Sequence, residues 1–564
     1  MQAILSGLLL TLPYPAHTDD GSRAAGFQEI QAEWIIETDG ISRRKIHSGK
    51  FYSPSILQSL YESNSYKPLW SDRIGEPGWL DETAKALAEL DSDGLPMWRY
   101  HLHAIESLRA QDDADLLLDM YLSDAYINSI NDLSGNLILK SELGDQWRMN
   151  AETVDIAETI SALRLGANPS KTLNALRPVH PQYELLRTAY LKARNSDAPV
   201  QVTGEEKLQP GDSGDAVRLL IERLAAEGWL DTIAVDSDSI HYDEAVTRAV
   251  KRFQQSRGLE ADGIMGRQTR LALNTGPEET ARKIALNMHR WRNAPRDIPD
   301  SHILVNTAAQ RLELVENGSI TLEMEVIIGK RSRQTPSFSE LMTEVVLNPD
   351  WNIPPRIATE EILPKLRENP SFAESQGIRA LQGNTPVAWS EISEEQLHSE
   401  EFPYRLQQVA SDANALGRYK FLFPNPYMVY LHDTPHKGLF SRDRRALSHG
   451  CVRLRQPDKL AQHLLAGSGW DQSRIDRRIA SGKQQSIQLE QPMPIYIMYL
   501  TSWVNDKGQL ELFPDTYRQD SPLDNSLIAL AKPPAGKTSD VTVANLQMDE
   551  RREKNNRESP HSLN

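Results

Sequence analysis

Two short segments of the chain hold residue types that could do chemistry. Tyr430-Leu431-His432-Asp433-Thr434 is followed, after 435–447, by Ser448-His449-Gly450-Cys451-Val452-Arg453-Leu454, and Cys451 is the only cysteine of the 564 residues. A thiol attacks carbonyl carbon efficiently only after losing its proton, and an imidazole within reach can take that proton. His432 closes the apolar run Tyr427 to Leu431, which reads as a buried strand, and a strand end is a rigid place for a base. Gly450 allows a sharp bend or a close ligand approach beside Cys451. If the chain runs extended from Cys451, Arg453 projects to the same face. Its planar fork there suits a carboxylate, and backbone N–H groups around Gly450 and Cys451 suit an oxyanion. Singly, each residue has a plainer reading: a core histidine, a structural ion pair, a turn cap, an inert buried thiol. Their concentration in one stretch favours chemistry. No Cys-x-x-Cys or His-Glu-x-x-His spacing occurs, so no metal site is expected.

Something must position these residues. A chain of this length exceeds one ordinary core, so three or four domains are expected. With 39% hydrophobic and 25% charged residues it has a globular composition. A net charge of -16 argues against broad nucleic-acid binding. One cysteine excludes an internal disulfide. Ala3 to Leu12 reads as the apolar core of a secretory signal within residues 1–16, although no Lys or Arg precedes Arg23. No run of about 20 apolar residues predicts a membrane span.

Residues 27–196 read as helical. Leu80, Ala84, Leu87 and Leu90 share one face, and Leu117, Tyr121, Ala125 and Asn128 recur at helical spacing with Leu118, Leu122 and Ile130 beside them. Nothing in that region suggests chemistry, so a structural or docking role is expected. Residues 204–275 read as three helices. Val217, Leu220, Ile221 and Leu224 mark the first, closing before Gly228. Val246, Ala249, Val250 and Phe253 mark the second, ended by Gly258. Thr269 caps or opens the third, which carries Leu271 and Leu273. From 296 to 523 the period changes to two: Leu312 and Leu314 flank Glu313, Asn317-Gly318 marks a hairpin, and Met324, Val326 and Ile328 alternate. A final hairpin is expected from Ile495–Thr501 and Gln509–Phe513. Many short antiparallel strands imply a β sandwich or barrel. Residues 357–415 interrupt it with a charged, helix-like insertion, and 527–564 read as a disordered tail.

His432 followed by Ser448-His449-Gly450-Cys451 resembles the signature of the L,D-transpeptidase catalytic domain, and Thr335-Pro336 resembles that family's strand-loop motif. Gly211, Gly214, Val217, Leu224, Gly228, Phe253-Gln254, Gly258-Leu259, Asp262-Gly263, Gly266 and Thr269 resemble the three-helix peptidoglycan-binding domain. The layout is similar to the large murein L,D-transpeptidases of Gram-negative bacteria. The resemblance implies a multidomain α+β protein: a mostly β catalytic domain with a helical capping insertion, an all-α scaffold and a wall-binding module. It implies Cys451 as nucleophile and His432 as general base. It implies His449 and Gly450, with the Cys451 backbone, as the oxyanion site. Tyr430, Ser448 and Arg453 become candidate substrate contacts, while Asp433 receives no role. The implied reaction forms 3→3 cross-links between peptidoglycan stem peptides through a thioester, without cofactor, in the periplasm. Attachment of a lipoprotein to the wall, carboxypeptidase or endopeptidase action, and a non-catalytic wall-binding scaffold are the alternatives.

Overall fold

A computed structural model describes residues 51–530, apart from 66, 112–114, 139, 145, 198–199, 205–206, 231–240 and 400. The expected signal segment lies outside the described residues, as does the expected tail beyond 530. Residues 527–530 are the last turn of a helix, Asp520–Leu530, rather than the start of a disordered tail. Among the described residues no helix is long and apolar enough to cross a membrane. The chain forms two compact units, one of 51–137, 153–177 and 528–530, the other of 138–152 and 178–527.

The first unit is helical and built around Asp115–Leu133. This helix is buried on every side rather than along one stripe, so it carries polar residues into the core. Asp119 accepts the Tyr61 hydroxyl at 2.5 Å and the Leu69 and Trp70 amides at 3.0 and 2.6 Å. Asp124 accepts the Tyr52 and Ser53 amides at 3.0 and 2.9 Å and pairs with His101 at 2.7 Å. These carboxylates satisfy backbone groups that would otherwise be buried without partners. Burial outweighs the donors at Asp119 and pushes its pKa up to about 6. In Trp79–Ala88, Trp79, Thr83, Ala86 and Leu87 are buried, with Leu80 and Ala84 at the margin.

In the second unit the three expected helices are present as Asp215–Ala226, Glu244–Ser256 and Arg267–Leu273. Their core joins Val217, Leu220, Leu224, Val246, Val250 and Phe253. Thr269 lies inside the third helix and accepts from the Gln254 amide at 3.1 Å instead of capping it. Leu271 is exposed, not core. The helix Pro277–Arg292 leads from this module to the strands. Its Asn287 donates to Thr501 and Ser502, both at 3.0 Å, and its Arg290 pairs with Asp520 at 2.6 Å. Helix Pro181–Arg194, read from sequence with the first region, belongs to this unit.

The strands are, in chain order, β1 (His302–Asn306), β2 (Arg311–Glu316), β3 (Ser319–Gly329), β4 (Phe338–Leu347), β5 (Trp351–Asn352), β6 (Ile378–Gln382), β7 (Thr385–Val387), β8 (Arg405–Gln408), β9 (Tyr419–Leu422), β10 (Leu431–His432), β11 (Ala446–Ser448), β12 (Val452–Leu454), β13 (Gln485–Met498), β14 (Ser502–Val504) and β15 (Leu510–Leu512). The main sheet runs β11-β3-β12-β10-β9-β4-β13-β1-β2, and β2 pairs again with β3, closing a barrel. The sheet is mixed rather than antiparallel: β1–β13, β10–β12 and β3–β11 are parallel. Ile303, Leu312, Val326, Val345, Phe421, Leu431, Val452 and Ile497 fill the interior. Asn317 and Gly318 take φ 51° and 75°, as a tight hairpin requires. The final hairpin pairs β14 with β15, whereas Ile495–Met498 belong to β13 and pair with β1.

The insertion is not simply helical. It contains a four-stranded sheet, β5-β8-β6-β7, packed on short helices around Ile357, Leu363, Leu366, Ala380 and Leu406. Its two ends are tied together, because Asp350 accepts the Ala410 amide at 2.8 Å and Asn414 donates to the Pro349 carbonyl at 3.1 Å. The inserted sheet therefore begins at Trp351, six positions before the expected start at residue 357.

Candidate active site

The site is built where β10 and β12 run side by side. Leu431 lies beside Val452 and His432 beside Arg453, in parallel register. Neighbours in register point to the same face and successive residues to opposite faces. Leu431 and Val452 therefore enter the barrel, where both are fully buried. Tyr430, His432, Cys451 and Arg453 take the other face together. From β9, Lys420 stands beside His432 in antiparallel register and joins that face. Its ammonium lies 4.2 Å from the Tyr430 ring centre.

The approach to His432 differs from the sequence reading. Tyr427 and Met428 are exposed and Met428 has φ 55°, so the run 427–430 cannot be a buried strand. Asn425 holds this turn by donating to the Phe423 and Val429 carbonyls at 2.6 and 2.8 Å. Only Leu431 and His432 form the strand. His432 is nearly enclosed, and its Nδ1–H donates to the Asp433 carbonyl at 2.6 Å. That bond leaves Nε2 as the unprotonated nitrogen. Burial, then Arg453, push the imidazole pKa down to about 3, so the ring is neutral over the working range.

Cys451 is half-buried. Burial pushes its thiol pKa up, while the Tyr430 backbone and hydroxyl and the charges of Lys420 and Arg453 draw it back down. Its thiol donates to the Met428 carbonyl at 3.6 Å. The Tyr430 hydroxyl sits between this thiol and the Trp351 indole at the root of the insertion. The Nε of Arg453 is buried without a hydrogen-bond partner among the described residues.

The turn before Cys451 is fixed from two sides. Thr335 Oγ1 donates to the Gly450 carbonyl at 2.7 Å and accepts the Gly329 amide at 3.0 Å. Ser448 Oγ donates to the Cys451 carbonyl at 2.5 Å and accepts the Gly450 amide at 3.1 Å. Gly450 has φ 120°, a conformation that side chains disfavour. Two sequence expectations change here. Ser448 is buried and spends its hydroxyl on this turn, so it is not placed to contact substrate. The Gly450 amide is already engaged, which leaves the His449 and Cys451 amides without a hydrogen-bond partner among the described residues. His449 points elsewhere: its Nε2–H donates to Glu361 of the insertion at 2.5 Å. Burial lowers the His449 pKa, with Glu361 opposing. Beside it, Arg333 pairs with Glu360. The insertion is thus pinned to the turn that carries Cys451.

The sequence reading passed over Lys420, Glu361 and the anchoring role of Asp433. A lysine between strand residues Tyr419 and Phe421 was the available signal for the first. Glu361 had none, since its partner lies far along the chain. Asp433 accepts the Arg418 amide at 2.8 Å and pairs with Lys437 at 2.6 Å.

A thiol, a neutral imidazole with fixed tautomer and a guanidinium whose Nε lacks a partner among the described residues, with unengaged amides in the adjoining turn, suit acyl transfer. The family described as L,D-transpeptidase catalytic domain matches residues 300–497. The chain carries an L,D-transpeptidase catalytic domain. A scaffold domain matches 55–189, and the family described as "Putative peptidoglycan binding domain" matches 213–273. A protein of Haemophilus influenzae named "Putative L,D-transpeptidase" is 39% identical over 246 residues, or 42% of this chain. The chain matches only 48% of that relative's length, about half. Among solved structures, an L,D-transpeptidase from Stackebrandtia nassauensis is 14% identical, with 53% of this chain and 96% of that one covered at TM-score 0.20. One from Xylanimonas cellulosilytica is 15% identical, with 52% and 99% covered at TM-score 0.16. The residues matched by the transpeptidase family, 300–497, span the barrel and its insertion and include the turn that carries Cys451.

Proposed function

We propose that this protein is a peptidoglycan L,D-transpeptidase that forms 3→3 cross-links through a thioester on Cys451. The observation that carries the reading is the shared face of Tyr430, His432, Cys451 and Arg453 on adjoining strands, with His432 Nδ1 pinned to a carbonyl. In the first half-reaction the Cys451 proton passes to His432 Nε2 and the sulfur attacks the carbonyl of the diamino acid at the third stem position. The thiol now donates to Met428, so it must turn toward the imidazole first. The C–N bond breaks, His432 returns the proton to the departing D-amino acid, and a thioester remains. In the second half the side-chain amine of another stem attacks, a C–N bond forms, the C–S bond breaks, and the proton returns to sulfur. The Cys451 amide stabilises the oxyanion in each half. Arg453 binds a substrate carboxylate, Tyr430 hydrogen-bonds at the thiol, and the insertion excludes water. Residues 204–275 bind the wall and 27–196 act as scaffold. A domain that works on the wall implies an extracytoplasmic location, and the periplasm is the specific compartment proposed.

The test is incubation of the full chain with purified disaccharide-tetrapeptide, with products separated and weighed by mass spectrometry. Cross-linked dimer and released D-amino acid are expected, both abolished in Cys451→Ala. Dimer formed equally by Cys451→Ala would refute the nucleophile, and tripeptide without dimer would favour hydrolysis. A lysine-bearing peptide offered as competing acceptor tests the lipoprotein alternative in the same mixture.

A further inference from the structure

The transpeptidase domain carries a polar cavity on β3, the strand paired with the one that bears Arg453. A cleft of about 540 Å3 lies between the end of the second module helix, at Gln255 and Gly258, and the barrel wall at β2, β3 and the segment 440–445. The module is held there firmly. Arg257 donates to the Leu510 carbonyl at 2.9 Å, Gln509 donates to the Gly228 carbonyl at 2.8 Å, and a side chain at Gly258 would collide with Pro514.

Five arginines and three carboxylates line this cleft, an excess of cation in a chain of net charge -16. Arg311 and Arg455 are matched, the first with Glu323 at 3.3 Å and the second with Glu325 at 2.5 Å. Arg445 is a strut. Its guanidinium donates to the Val326, Arg442 and Gln310 carbonyls at 3.2, 2.9 and 3.1 Å, which fixes the loop before β11. That leaves Arg442 and Arg444, both exposed and without an ion pair among the described residues. Two guanidiniums displayed on a braced loop are a receptor for carboxylates.

The rim of the cleft lies on the strand that follows the thiol. Arg455 stands four positions beyond Cys451, and Arg453 lies between them at alternate spacing. Four extended residues span roughly 13 Å. A wall stem of four or five residues extends to about 15 Å. The donor stem requires the Tyr430–Arg453 face, so the adjoining cleft is open to a second stem.

We propose that this cleft is the acceptor site: it holds a second stem peptide by its free carboxylates on Arg442 and Arg444 while the stem's side-chain amine reaches the thioester. This rests on the transpeptidase reading above, but its first test does not depend on turnover. The full chain is alkylated at Cys451 with iodoacetamide and titrated with the tripeptide L-alanyl-γ-D-glutamyl-diaminopimelate. Binding is expected to weaken at least about fivefold in the R442Q/R444Q double variant and to be unchanged in Lys483→Gln, an exposed cation elsewhere. Unalkylated enzyme supplied with saturating donor should show a matching rise in the acceptor KM with little change in kcat. Equal binding by wild type and R442Q/R444Q overturns the proposal. So does competition by inorganic phosphate as strong as by the tripeptide at equal ionic strength, since that would mean charge alone. If the tripeptide binds through these arginines while no cross-link ever forms, a stem-peptide binding site stands, and its acceptor role falls with the transpeptidase reading.

Discussion

At the residue scale the acidity of the Cys451 thiol is set by opposing effects that can be separated. Burial disfavours the thiolate of Cys451, while Tyr430, Lys420 and Arg453 favour it. Lys420 is the informative member, because its strand neighbour is His432 and its ammonium rests on the Tyr430 ring. Replacing it with a neutral side chain of similar length removes a cation from beside the thiolate, so the thiol pKa must rise. Lys420→Met is therefore expected to slow iodoacetamide alkylation at pH 8 by roughly threefold to tenfold, with the rate recovering at higher pH. Lys420→Arg should retain the wild-type profile. A Lys420→Met profile that superimposes on wild type would sink the idea. His432, already neutral down to about pH 3, should give no limb near the ordinary histidine range in either protein.

At the element scale, the loops rather than the strands decide where these residues point. Gly417 has φ +60°, and a Cβ there would lie 2.3 Å from Asp433 Oδ2. That carboxylate holds the Arg418 amide, one residue before β9, and follows His432 directly. Gly417→Ala thus strains the turn and drives the Asp433 side chain away. A loss of about 2–4 kcal/mol is expected, seen as a Tm lower by about 5–10 °C, with activity falling further than stability. Gly383 also has positive φ, +64°, but nothing lies within 4 Å of its Cβ position. Gly383→Ala should cost only about 1 kcal/mol and spare activity. Equal losses in the two variants would mean that backbone strain, not the Asp433 contact, matters. The same contrast explains what the sequence disclosed. The module helices were legible because their apolar period matched 3.6 and glycines marked their ends. The turn at 427–430 was misread because its residues are apolar while Asn425, outside the run, dictates the bend. The inserted sheet was hidden because β8 reads Arg-Leu-Gln-Gln, with almost no alternation. Ser448 was placed toward substrate because a hydroxyl beside a nucleophile looks available until its two local bonds are counted.

At the scale of the whole molecule, the second unit depends on histidines kept uncharged. His289 is fully buried on Pro277–Arg292, the helix that joins the module to the barrel, and burial plus Arg292 and Arg290 hold its pKa well below the ordinary value. His302 is lowered by burial, and His180, stacked on Trp291 with centroids 4.5 Å apart, is pushed down to about 3 by burial and His302. In the unfolded chain such groups protonate near pH 6.5. Between about pH 6.5 and 3 the unfolded state therefore binds more protons than the folded one, and stability rises with pH. This contribution is fully present above pH 6.5 and is lost as pH falls through that window. Glu313 works in the opposite direction: burial pushes its pKa up to about 7, so its folded form takes up a proton that the unfolded form does not. A variant that removes one histidine leaves Glu313 untouched and isolates the histidine part. His289→Gln keeps an amide oxygen able to accept from Asn293, which now donates toward the ring at 3.3 Å. It should be less stable than wild type at pH 7, because a packed ring is lost. Its unfolding temperature should nevertheless fall less between pH 7 and 4.5, by roughly 2–5 °C, in calorimetry of the full chain. Parallel curves for the two proteins would show that the charge state of this helix plays no part in acid unfolding. A shallower curve for His289→Gln would tie the joint between module and barrel to the protonation of one buried ring.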